Sequence, residues 1–311
     1  MSVGSHADDI EIHAGGTLLK YHAAGYRIVY VMSTNNFSGG WSKRLPDGTF
    51  KAENPVPEVI MARRKLEAER AAAVLGTKPV HLDHPQRHYT LPDGSRAELR
   101  YGCPPAPLVE GCVPSILTAP EDTESVRILR NLIEDHSPEC VLTHGPVQMN
   151  PEHAATCRLT TLAWLAAKRS CPETGLLYWD EGHVVFGKSN CKWDTFTDIS
   201  DWLDKKMELV AVHETQMPRA LAPDFGHRTW NLLKGAVCGR RACEVFTVNT
   251  LGGAGELSRE LRSHLGSYSL EEYPTWDSQT AALTMRRFDG ANNGLIFSDG
   301  AVSMTKRLEK L

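Results

Sequence analysis

What most limits the fold of this chain is an alternation. Over its first two thirds, short β-branched apolar runs take turns with stretches of helix formers, and Gly, Pro, Asn or Asp separate them. Strands that alternate with helical patterns build crossover units, and crossover units build a parallel sheet. The strand candidates are "SVGS" (2–5), "RIVYVMST" (27–34), "PVHLD" (79–83), "CVLTH" (140–144), "GLLYWD" (175–180), "TFTDIS" (195–200) and "CEVFTVNT" (243–250), the last read as the final strand of the main sheet. Runs such as "RIVYVMST" have the texture of strands buried on both faces.

Helices are expected between them. One runs from Ile10 to Ala24, and "PEVIMARRKLEAERAAAVLG" (57–76) stops on Gly76. "DTESVRILRNLIEDH" (122–136) is amphipathic, with Asp122 or Thr123 as its cap, and "NPEHAATCRLTTLAWLAAKR" (150–169) opens on Asn150 as N-cap and Pro151 at the first helical position. "SDWLDKKMELVAVHETQ" (200–216) is the last. The expected fold class is therefore α/β, a Rossmann-like, mostly parallel sheet with helices on both faces, over residues 1–250. After Thr250 the texture changes. Turn signals at Asp289-Gly290, Asn293-Gly294 and Asp299-Gly300 mark residues 251–311 as a C-terminal extension of mixed helix and β-hairpins. Its role, whether sheet extension, loop cover or oligomer contact, has no motif to decide it.

Composition excludes several function classes. With 41% hydrophobic and 23% charged residues the chain reads as globular rather than disordered. A net charge of -4 offers no electrostatic footprint for nucleic acid. No apolar run reaches the roughly 18 to 20 residues of a spanning helix, and no signal-peptide pattern opens the sequence. The expectation is a cytoplasmic protein with no integral membrane segment, for which homo-oligomerisation stays open. Eight scattered cysteines form no CxxC pair and read as reduced thiols; a bridge between Cys103 and Cys112 is the disfavoured alternative. Met1 stands only five residues before His6, so either the first strand is abbreviated or the sequence starts inside a longer one.

The chemistry concentrates in "GSHADDIEIHAGGTL" (4–18), where a strand gives way to a helix. His6 and Asp9 are three residues apart and share a face if the helical turn has begun. An imidazole with a carboxylate suits zinc or another divalent first-row metal. Asp8 points elsewhere and can act as a base on water. The plainer alternative is a solvated turn whose acids favour the positive end of the helix. Gly15 and Gly16 let that helix lie close to the sheet. A catalytic zinc needs a third protein ligand. Of the other twelve histidines His153 is best placed, at a helix start just past a strand, where the carboxyl ends of a parallel sheet converge. His144 ends that strand, near the same crevice.

"SHADDIEIHAGGTL" resembles the first motif of the PIG-L/LmbE family of metal-dependent N-acetylglucosaminyl deacetylases. "THGPVQMNPEH" (143–153) is similar to the second, "RKLEAERAAAVLG" (64–76) to the RxxE helix, and "HETQ" (213–216) to a late HxSQ element. The elements keep the family's order over residues 1 to about 250. The resemblance implies His6, Asp9 and His153 as metal ligands and Asp8 as the base that activates water. It implies substrate contact for Arg64, and either a substrate or proton-transfer role or a structural helix-end role for His213. Two departures stand out. Ala7 replaces the usual proline, and Asn150 stands where many members carry a histidine, so oxyanion stabilisation falls to Asn150, unless it only caps its helix, or to His144. The implied activity is removal of an acetyl group from an N-acetylated amino sugar or glycoconjugate, with zinc or a similar metal. Alternatives are cleavage of another amide or ester, and metal-containing binding without turnover. Specificity is expected in the segments 35–58 and 84–120, with Trp41, Tyr89 and Tyr101 either stacking on a sugar or packing beneath the loops. No G-x-G-x-x-G or P-loop is present, so nucleotide binding has only fold analogy behind it.

Overall fold

The computed structural model describes residues 1–37, 41–47, 49–53, 55–86, 88–90, 93, 96–98, 114–146, 150–181, 193, 195–216 and 224–249. Tyr101, the Cys103 and Cys112 pair, the side chains of Trp41 and Tyr89 and the extension 251–311 fall outside them.

In chain order the elements are β1 (Ser2–Gly4), α1 (Asp9–Ala23), β2 (Tyr30–Thr34), the hairpin β3 (Trp41–Arg44) and β4 (Phe50–Glu53), α2 (Pro57–Val74), β5 (Pro79–His84), and the hairpin β6 (His88–Thr90) and β7 (Arg96–Glu98). Then come α3 (Thr123–His136), β8 (Cys140–His144), α4 (Pro151–Ala167), β9 (Gly175–Trp179), β10 (Thr195–Asp198), α5 (Leu203–Ala211), α6 (Thr229–Val237) and β11 (Cys243–Val248). Seven strands form one sheet in the order β10-β11-β9-β8-β1-β2-β5. The five from β9 to β5 run parallel, and β11 runs antiparallel to both its neighbours. From β1 the chain winds outward through β2 and β5, then returns to lay β8 on the other side of β1. That reversal is a topological switch point, where the carboxyl ends of strands leave a crevice.

Period-two alternation sorts the core onto two faces. Tyr30, Met32, Leu142, Leu177 and Trp179 join α1, α2 and α5 through Leu18, Ala68 and Leu209. Val29, Val31, Val141, Leu176 and Tyr178 join α3 and α4 through Leu129, Ile133, Leu159 and Trp164. Both faces of the parallel strands are covered, which is why these strands read as continuous apolar runs rather than alternating ones. Two caps act as the sequence implies. Asp122 accepts from the Ser125 amide at 2.8 Å to start α3, and Asn150 accepts from the Glu152 amide at 3.0 Å to start α4. Gly16 is the member of the glycine pair that needs no Cβ, because one built there would stand 2.8 Å from Ile199 Cγ2. The close neighbour of α1 at that point is thus the segment after β10.

Two helices depart from expectation. The helix expected over 200–216 covers only Leu203–Ala211. Glu67 accepts from the Thr215 amide and hydroxyl at 3.0 and 2.7 Å, fixing a turn where the helix would have continued. Helix α6 is an addition, whose Gly235 packs directly on the Arg241 backbone. Strand β11 is, as expected, the last strand of the main sheet in sequence among the described residues, and it pairs with β10 and β9.

Candidate metal centre and active site

Four of the five parallel strands each deliver one polar residue two positions beyond their end. His6 follows Gly4 of β1, Asn36 follows Thr34 of β2, Gln86 follows His84 of β5 and Glu181 follows Trp179 of β9. Strand β8 contributes its last residue, His144. Helices α1 and α4 begin against the same crevice and add Asp8, Asp9, Glu152 and His153. All are buried except Asp8, which keeps part of its carboxylate exposed.

Three side chains form a compact triangle, in which each imidazole faces a different oxygen of Asp9. His6 Nδ1 lies 3.0 Å from His153 Nε2, His6 Nδ1 lies 3.4 Å from Asp9 Oδ2, and His153 Nε2 lies 3.4 Å from Asp9 Oδ1. In a tetrahedral zinc site with bonds of about 2.0–2.1 Å, neighbouring ligand atoms stand about 1.63 bond lengths apart, or about 3.3–3.4 Å. The two edges at Asp9 match that spacing, each to a different oxygen, and the His6–His153 edge is somewhat shorter, so the three side chains are close enough together to share one ion. The second nitrogen of each imidazole meets a carboxylate. His6 Nε2 is 2.7 Å from Glu152 Oε2, and His153 Nδ1 is 2.7 Å from Glu181 Oε2. Imidazole between carboxylate and ion is the usual way a histidine ligand is oriented. Gln86 Nε2 donates to Glu152 at 2.7 Å and fixes that acid in turn.

The electrostatics point the same way. Burial alone would lower the pKa of His6, but the charges and hydrogen bonds of Asp9 and Glu152 outweigh it and raise it to about 9. Burial would raise Asp9, yet His153, His144 and His6 hold it well below the usual carboxylate range. For His153 burial prevails over Asp9, and the imidazole is held below its ordinary value, in the neutral form that can bind a metal. A site that draws a proton onto a buried histidine has the negative potential that also draws a divalent cation. The donor set, two imidazoles and a carboxylate, suits zinc or another first-row metal.

Asp8 stands beside this triangle rather than in it. Its backbone has φ 131°, a region that favours glycine. Neighbours enforce it: the Ala7 amide donates to Asn36 Oδ1 at 2.8 Å, and Arg64 donates to the Ala7 carbonyl at 2.9 Å and to Asp8 Oδ1 at 3.3 Å. The twist turns consecutive aspartates in different directions, Asp9 to the triangle and Asp8 to Arg64. Burial, opposed by Arg64 and reinforced by Asp9, raises Asp8 to about 6.

The remaining candidates take supporting positions. Arg64 is 3% exposed and grips Asp8 and the chain beside it. His213 is fully buried and pairs with Glu11 at 3.0 Å, a structural position for a residue expected at either substrate or helix end. The oxygen of Asn150 is engaged in capping α4, so only its amide nitrogen offers hydrogen-bond donors. His144 is fully buried, stacked on His153 at 4.1 Å and edge-on to Trp179 at 4.8 Å, which removes it from direct reach of a substrate. Two neighbours make incompatible demands on its Nε2. The Ser5 amide, 3.0 Å away, needs a lone pair there. Asp9 Oδ2, 3.2 Å away, favours a proton, and together with Glu181 pulls the imidazole to about 9 against burial. The Ser5 contact is the shorter and fixed by backbone, so the geometry favours the proton on Nδ1, facing Glu181. His13 stacks on Trp179, with ring centres 5.8 Å apart. Glu152, Glu181, Gln86 and Asn36 escaped the sequence reading. Glu181, Gln86 and Asn36 share a position two residues past a strand end, which is the signal that finds them, whereas Glu152 stands in the first turn of α4 inside the NPEH stretch.

The profile of the family described as "PIG-L: GlcNAc-PI de-N-acetylase" matches residues 1–164, more than half of the chain. The chain belongs to the PIG-L family. Its PIG-L match holds the triangle, Asp8, Arg64, His144 and Asn150, while Glu181 and His213 lie beyond it. No curated protein matches. Among solved structures, N,N'-diacetylchitobiose deacetylase from Pyrococcus horikoshii is similar at TM-score 0.55 and 20% identity, covering 80% of this chain and 82% of that one. GalB, the 4-carboxy-2-hydroxymuconate hydratase from Pseudomonas putida KT2440, is similar at TM-score 0.57 and 16% identity, covering 79% and 94%. The zinc-inhibited form of teicoplanin deacetylase Orf2 is similar at TM-score 0.54 and 17% identity, covering 79% and 96%. At these identities the likeness is one of fold. Among the described residues no helix is long and apolar enough to cross a membrane.

Proposed function

We propose that this PIG-L protein is a metal-dependent hydrolase that removes the acetyl group from an N-acetylated amino sugar or glycoconjugate. The observation that carries the reading is the ligand-sized triangle of His6, Asp9 and His153 with a separate carboxyl, Asp8, held beside it by Arg64. Family membership and the deacetylases among the similar folds agree with it. His6, Asp9 and His153 would hold a divalent cation, which would supply Lewis acidity for the amide carbonyl and acidify water. We favour zinc or another first-row metal on the donor set.

The chain's own groups do the rest. Asp8, raised to about 6, is ionised at neutral pH yet basic enough to take the proton of the attacking water. The same carboxyl, now protonated, delivers that proton to the leaving amine. Arg64 keeps it oriented, and the strained backbone keeps it out of the ligand triangle. Asn150 Nδ2 is the donor we assign to the developing oxyanion. The described cysteines are buried free thiols, which suits a cytoplasmic setting.

Acetate release from N-acetylglucosamine conjugates, measured beside metal content, tests the reading with Asp8→Asn as the decisive variant. The expected result is full metal content with turnover almost abolished; substantial remaining activity removes Asp8 from the base role. The fold likeness to a hydratase motivates a second reading, addition of water to a conjugated acid. Loss of the diene absorbance of such an acid, with no amine released from any N-acyl substrate, would favour it.

A further inference from the structure

The two oxygens of Glu181 serve two different imidazoles on the side away from the ligand triangle. Oε2 accepts from His153 Nδ1 at 2.7 Å, while Oε1 accepts from His144 Nδ1 and, at 3.3 Å, from the Trp179 indole. The residue before it is anchored three times. The Asp180 amide donates to the Val245 carbonyl at 3.2 Å, its carbonyl accepts from Lys234 Nζ at 3.0 Å, and its carboxylate pairs with the same Nζ at 2.9 Å. Lys234 is 5% and Asp180 4% exposed, so the anchor is buried, and it ties the end of β9 to both α6 and β11.

We propose that Glu181 is a positioning residue that sets the tautomer of His153 and so aims its Nε2 lone pair at the metal triangle; this rests on the metal-centre reading above. A carboxylate accepts and never donates, so both imidazoles that face it carry their hydrogen on Nδ1. The Ser5 amide gives independent support, because it points at a His144 Nε2 that must then be bare. Stacked 4.1 Å apart and tied to one carboxylate, the two rings are fixed as a unit. Substitution by glutamine keeps the volume but not the function. An amide offers one acceptor oxygen and a donating NH2 group, so one of the two imidazoles must flip its tautomer or lose its partner.

The experiment titrates zinc into metal-free wild type, Glu181→Gln and Glu181→Ala against a chelating indicator, and records the absorption spectrum of each protein loaded with cobalt. Circular dichroism and the heat midpoint of the metal-free proteins report folding. The expectation is a roughly 10- to 100-fold loss of zinc affinity in both variants, and a changed cobalt spectrum in Glu181→Gln with its metal-free fold intact. Wild type that binds zinc while both variants bind it within twofold and give the same cobalt spectrum overturns the positioning role and leaves the metal centre standing. Wild type that binds no zinc and no cobalt overturns both.

Discussion

Two buried polar clusters in this molecule differ in how their charges add up. One joins Lys206 and Glu244 where α1, α5 and β11 meet. Glu244 pairs with Lys206 Nζ at 2.6 Å and accepts from the Gly16 amide, the Thr17 amide and the Thr17 hydroxyl at 2.9, 2.7 and 2.6 Å. One acid meets one obligate cation, and the acid's hydrogen bonds are complete. The other is the strand-end cluster, where Asp9, Glu152 and Glu181 face imidazoles that carry charge only when a proton is supplied. A balanced cluster holds elements together; an unbalanced one calls for a cation. Burial alone does not tell them apart.

The comparison can be broken most sharply at Asp8. Asp8→Asn should lower turnover by about 10² to 10⁴ while metal content, read by elemental analysis, stays at the wild-type level. The opposite signature is expected from the balanced cluster. Lys206→Met leaves Glu244 as an uncompensated buried carboxylate, which costs about 3–5 kcal/mol. Denaturant unfolding should show that loss, with zinc affinity of the folded fraction unchanged; a change in affinity would mean that the clusters are not independent.

Titration sharpens the contrast further. His6 moves from 6.5 to about 9 on folding in the metal-free protein, so its contribution to stability is complete below about pH 6.5 and lost as pH rises through about 9. Heat midpoints of metal-free protein should fall over that window. Zinc affinity should rise over the same window, because the competing proton leaves. The smallest effect belongs to Asp8→Gly. Releasing an aspartate from φ 131° should offset the lost Arg64 contact and stabilise the metal-free protein by about 1 kcal/mol, seen as a small rise in midpoint together with lost turnover.

Local signals made much of this readable in advance. Cys140–His144 is apolar up to its last two residues and forms a strand with those bounds, and Asn150-Pro151 marks the start of α4. The sequence motifs also singled out His6, Asp9 and His153, which the fold brings together from 147 positions apart. What escaped depends on distant partners. Helix α5 stops early because Glu67, on another helix, holds Thr215. Glu181 looks like any acid after a strand until His144 and His153 arrive beside it, and α6 gains its place from backbone packing at Gly235 that no local pattern encodes. Arg64 and His213 were readable as motif residues but not as buried ones, since exposure is a property of the assembled layers.

The two-residue offset past four strand ends has a consequence for change. The parallel strands are spaced by the sheet at about 4.8 Å, so the groups they carry stand like teeth on a comb whose spine is set by apolar packing below. Exchanging a single tooth alters the polar lining of the crevice without disturbing the apolar spine. A lineage using this frame can move between chemistries by swapping side chains one at a time, while the spine goes on folding as before.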